Sequence, residues 1–110
     1  MKYFKEIYKA LRAGYERGIL ERTQVDYTVK AAIRMPAAFL LGDHEEEFVM
    51  NRDFSTSKSL SDRITELDRT YLKGSFMVKS AYLFGEPVGV VLDMINEEVK
   101  LLAKRLKYHN

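Results

Sequence analysis

The chain has 110 residues, 46% of them hydrophobic and 31% charged, with a net charge of +2 at neutral pH. These values describe one ordinary globular domain over residues 1–110 and exclude a disordered or collagen-like chain. Cysteine is absent, which removes disulfides, zinc–thiolate sites and thiol catalysis and suits a reducing, cytoplasmic setting.

The longest apolar stretch, MPAAFLLG, falls far short of the roughly 18 residues a spanning helix needs. The N-terminus, MKYFKEIYKALRAGYERG, lacks the uninterrupted apolar segment of a signal peptide. The expectation is a soluble cytoplasmic protein without a membrane partner. Charge is uneven: residues 1–42 carry 8 basic and 4 acidic side chains, residues 43–66 carry 3 and 7, and the end adds Lys100, Lys104, Arg105 and Lys107. Basic ends around an acidic middle suit self-association as well as an anionic partner.

In chain order, Phe4, Ile7, Leu11, Gly14 and Gly18 recur in steps of three and four, predicting an N-terminal helix. Lys5, Lys9 and Arg12 lie on its other side. Ala10, Gly14 and Gly18 form a ladder of small residues. Each interior glycine costs about 1 kcal/mol of helix propensity, so either another backbone approaches closely or the helix ends near one of these glycines. The segment QVDYTVKAAIRM alternates as a strand would, yet Val25, Val29 and Ile33 also fit a helix. A lone strand leaves its backbone unpaired, so a helix over 24–35 is preferred, kinked or broken at Pro36.

Two similar phrases follow, AFLLGDH at 38–44 and AYLFGEP at 81–87. Both read as helix-to-helix corners, with glycine closing one helix and an acid opening the next. Asp43 and Glu46 make a capping pair, so HEEEFVM opens a short helix. From Leu60 the stripe Leu60, Ile64, Leu67, Tyr71, Gly74, Val78, Ala81 predicts one long helix over about 57–84, with Ser57 or Ser59 as its cap. Gly85 ends it. Pro87 then begins a last helix with apolar positions Val88, Leu92, Ile95, Val99, Leu102 and Leu106. The two form an antiparallel αα-hairpin, and the whole chain an all-α, small four-helix bundle.

Chemistry-bearing patterns are few. Asp43, His44 and Glu45–Glu47 are dense in metal-ligand types, but an acidic helix start accounts for them. Arg105 and His109 share a helix face at i, i+4, a spacing shorter than in helical ribonucleases. No phosphate-loop or nucleophile-elbow pattern occurs. The expectation is a non-enzymatic chain with no catalytic residue, metal site or cofactor.

The segment ERTQVDYTVKAAIRMPAAFLLGD resembles the helix-turn-helix of phage-repressor-like regulators, which implies a degenerate DNA-binding motif over 23–42 with its turn at Ala32-Ile33-Arg34. The would-be recognition helix is apolar, and Arg34 alone has a side chain able to read a base edge. Nucleic-acid binding through basic helix faces is therefore the alternative reading. The preferred one is a protein-interaction module of adaptor, immunity or assembly-factor type that forms homo-oligomers, most simply a dimer. Candidate partner-binding residues are Lys5, Lys9, Arg12, Lys100, Lys104 and Arg105. Candidate self-association residues are Leu60 and Ile64, where the longer helix overhangs its partner, together with Leu72 and Phe76 outside the main stripe.

Overall fold

The computed structural model describes residues 2–108 and is helical throughout, with no strand among the described residues. Among the described residues three helices replace the expected four: α1 (Lys2–Leu40), α2 (His44–Tyr71) and α3 (Phe76–Tyr108). The 24–35 segment is helical, as preferred. It belongs to a single helix of 39 residues that stops at neither Gly14 nor Gly18 and continues through Pro36. No turn interrupts 23–40, so the helix-turn-helix over 23–42 does not form.

The corner at Gly42 forms as the sequence predicts. Gly42 has φ +65°, a conformation that costs glycine nothing, and the Asp43 N–H reaches back to the Ala37 carbonyl at 3.2 Å. The Asp43 carboxylate then accepts hydrogen bonds from the Glu45 and Glu46 N–H groups, both at 3.1 Å. This cap, with Glu45–Glu47 in the first turn, opens a helix of 28 residues rather than a short one. Ser57 lies inside that helix and caps nothing.

The corner at Gly85 does not form. The chain breaks earlier, over 72–75: the Gly74 N–H bonds the Tyr71 carbonyl, and Ser75 caps α3 through its hydroxyl, 3.4 Å from the Val78 N–H. Gly85, Glu86 and Pro87 sit within α3, which runs unbroken for 33 residues. The antiparallel hairpin predicted across Gly85 is therefore absent. Both α2 and α3 pack against α1.

The chain divides into two compact units, residues 1–19 with 71–110 and residues 20–70. In the first, the opening half of α1 lies parallel to α3. The register rises together on both helices, with Tyr3 bonding the Met77 sulfur, Gly14 meeting Tyr82 and Gly85, and Gly18 meeting Glu86 and Val90. The two helices touch backbone to backbone. A Cβ on Gly14 would overlap the Tyr82 carbonyl oxygen and lie 3.1 Å from the Gly85 Cα, while one on Gly89 would lie 2.9 Å from the Tyr15 Cα. Glycines four residues apart on each helix make this approach possible, which answers why α1 tolerates two interior glycines. Ala10 and Ala13 of this half of α1 are buried as well. Tyr82 is buried too and stacks on Tyr71 with ring centroids 5.2 Å apart. Arg17 and Glu86 close one flank with an ion pair at 2.6 Å.

In the second unit, α2 runs antiparallel to the later half of α1. Arg34 pairs with Glu46 at 2.6 Å, and Thr28 shares a 2.6 Å hydrogen bond with Ser57 further along. The buried seam of α2 is Met50, Asp53, Ser57 and Ile64, in helical steps of three, four and seven. It faces Ala31 and Ala38, and Ala31, Ala38 and Met50 form the unit's apolar cluster. The seam is narrow and partly polar.

Candidate interaction surface

Surface apolarity is the dominant feature. Among the described residues the largest fully buried side chains are Tyr82 and Met50, whereas Val25, Val29, Ile33, Phe48, Phe76 and Leu106 are among many large hydrophobics left exposed. The accessible surface totals 8513 Å². A folded monomer of 12.8 kDa exposes about 6,300 Å² by the usual size scaling. The chain thus presents about 2,200 Å² more than a self-contained fold of its mass.

The exposed apolar residues lie on identifiable faces. In the second unit, Val25, Val29 and Ile33 follow one another at i, i+4 on the side of α1 away from the Ala31–Ala38 seam, and all three are exposed. Their alternation with polar residues, which also imitates a strand, is an outward apolar stripe of a helix. In the first unit, Tyr8 and Phe84 border a shallow groove over Gly85. Beyond the glycine contacts, every residue from Met94 to Tyr108 is exposed, including Ile95, Val99, Leu102 and Leu106. These four were expected to zip against the preceding helix. The break at 72–75 ends the preceding helix before them, and all four are exposed among the described residues.

Of the predicted self-association residues, Ile64 is a core residue of the second unit at 8% exposure, and Leu60 is half-buried. Leu72 and Phe76 are on the surface, at 37% and 83%. Sequence reasoning passed over the second half of α3, because its rhythm was assigned to an internal contact.

The charged candidates are all exposed: Lys5, Lys9 and Arg12 on α1, and Lys100, Lys104 and Arg105 on α3. The parallel register sets Arg12 beside residue 83, about 25 Å along α3 from Lys100. The two basic groups remain separate patches. His109 lies outside the described residues, so its relation to Arg105 has no structural description. His44 is 3.8 Å from Glu47 and almost fully exposed. Among the described residues no three metal-ligating side chains converge, and no helix is long and apolar enough to cross a membrane. In the acidic cluster Asp43 caps α2 and Glu46 holds Arg34; elsewhere Glu86 holds Arg17. Lys30 bonds Asp26 one turn away at 3.0 Å, and that hydrogen bond, with the Asp26 charge, raises its pKa.

Comparison with known protein families, curated proteins and solved structures gave no match to this chain.

Proposed function

We propose that this chain is a non-enzymatic helical interaction module, of adaptor, immunity or assembly-factor type, that works in the cytoplasm as a homo-oligomer. The observation that carries the reading is the surplus of about 2,200 Å² over a self-contained monomer. Permanent homodimer interfaces bury about 1,000–2,500 Å² on each partner, so one more copy of the chain would supply cover of the right size. The distribution supports the same reading. The exposed apolar residues form periodic helix stripes rather than scattered single side chains, and contiguous patches of this kind mark interaction surfaces. The non-enzymatic part rests on the structural duties of the acidic side chains, and the cytoplasmic part on the absence of cysteine.

Size-exclusion chromatography with light scattering tests the reading. The expected mass is twice 12.8 kDa or a higher multiple. A mass of one chain at every concentration would remove it.

A further inference from the structure

We propose that the second half of α3, residues 91–108, is the self-association site, and that its occupant is the same segment of a second copy lying antiparallel. This rests on the self-association reading and adds the surface, the orientation and the register.

From Met94 to Tyr108 every residue of the segment is exposed, yet it keeps a coiled-coil rhythm through Ile95, Val99, Leu102 and Leu106. Glu98 and Arg105 border the apolar groove on this face. They are seven residues apart and so lie on one flank of it. A parallel copy sets Glu98 level with the partner's Glu98 and Arg105 level with the partner's Arg105, so neither charge meets its opposite across the contact. An antiparallel copy, with its two-fold axis between residues 100 and 101, sets Val99 against the partner's Leu102 and Ile95 against the partner's Leu106. The same register carries Glu98 onto the partner's Arg105, and the symmetry makes the pair twice. Apolar layers and flanking charges thus select one arrangement.

Sedimentation equilibrium of the full chain and its variants decides the matter. Wild type is expected to dimerise. Leu102→Lys should weaken dimerisation at least about a hundredfold, since a charge would replace a central apolar layer. Its helical circular dichroism should stay unchanged, because Leu102 makes no buried contact within the chain. Glu98→Arg and Arg105→Glu should each weaken the dimer about tenfold, and the double variant should return close to wild type. Mixing Val99→Cys with Leu102→Cys chains should give mixed disulfides faster than either variant alone. If wild type dimerises and Leu102→Lys changes nothing, this surface is the wrong one while self-association stands. A double charge variant no better than the singles, or disulfides fastest within one variant, overturns the antiparallel register. A wild-type monomer that binds anionic vesicles through this face overturns both proposals.

Discussion

Replacing Gly14 by alanine tests the central contact of the first unit through the sign of its effect. In an isolated helix this substitution stabilises by about 1 kcal/mol, because glycine carries more backbone freedom into the unfolded chain. Here the new Cβ would overlap the Tyr82 carbonyl oxygen and come within 2.9 Å of the Tyr82 carbonyl carbon. Both are backbone atoms of a packed helix, so no rotamer change relieves the clash. The two helices must separate. Overpacking of this kind costs about 1–3 kcal/mol, and a rigid backbone neighbour places the cost at the upper end. After the propensity gain, the net loss is about 1–2 kcal/mol. For a chain of this size that lowers Tm by roughly 5–15 °C. Thermal and urea unfolding followed by circular dichroism measure it, with Gly74→Ala as the control. A Cβ at Gly74 meets the Val78 side chain at 3.0 Å and touches the Tyr71 carbonyl oxygen at 3.4 Å, with no backbone overlap, so the control should change stability much less. A Gly14→Ala variant more stable than wild type would refute the backbone-to-backbone contact.

Other substitutions probe the remaining elements. Gly42→Ala should cost about 1 kcal/mol, because its φ of +65° is unfavourable for any residue with a Cβ, although nothing lies within 4 Å to clash. Asp43→Ala should cost about 1 kcal/mol through loss of the α2 cap, while Asp43→Asn retains most of it. Met50→Ala removes the largest apolar side chain from the Ala31–Ala38 cluster and should cost about 2–5 kcal/mol in urea titration. Pro87→Ala should stabilise by about 1 kcal/mol or more, because it restores an N–H to the interior of a continuous helix. A neutral or destabilising result would point instead to a helix start at that residue.

The corner at Gly42 was legible because everything that makes it is local: a glycine that tolerates positive φ, an aspartate of the right length beyond it, and three glutamates after that. The matching phrase at Gly85 misled because the same letters serve another purpose. Glu86 is a poor cap, and its carboxylate reaches Arg17 on α1 instead. Gly85 is glycine because α1 passes against it, a long-range contact that no local pattern announces. Gly14 and Gly18 on α1 and Gly85 and Gly89 on α3 share the same four-residue spacing, and that pairing was the available signal.

The break at 72–75 stayed hidden for a different reason. Tyr71 closes α2 and Val78 lies in the first turn of α3, seven residues apart, so the stripe keeps its phase across the gap. Periodicity alone cannot separate one helix from two in register. The local cue was Gly74-Ser75, a turn residue followed by a cap. The fate of Ile95, Val99, Leu102 and Leu106 follows from that one event. Their spacing correctly marked an apolar face, but spacing does not say whether the partner lies in the same chain. The segment 24–35 was readable as helix only by exclusion, since its exposed stripe at Val25, Val29 and Ile33 has the look of a strand.

The thermal midpoint of the wild-type chain, followed over about a hundredfold range of protein concentration, bears most directly on self-association. Mass action raises the midpoint with concentration whenever folded copies bind one another and unfolded ones do not. A midpoint that climbs steadily, with the apolar stripe of α3 protected from hydrogen exchange at the high end, is the expected result. A constant midpoint and unprotected amides over 94–108 at every concentration would mean that the exposed surface is borne by a monomer, contradicting self-association.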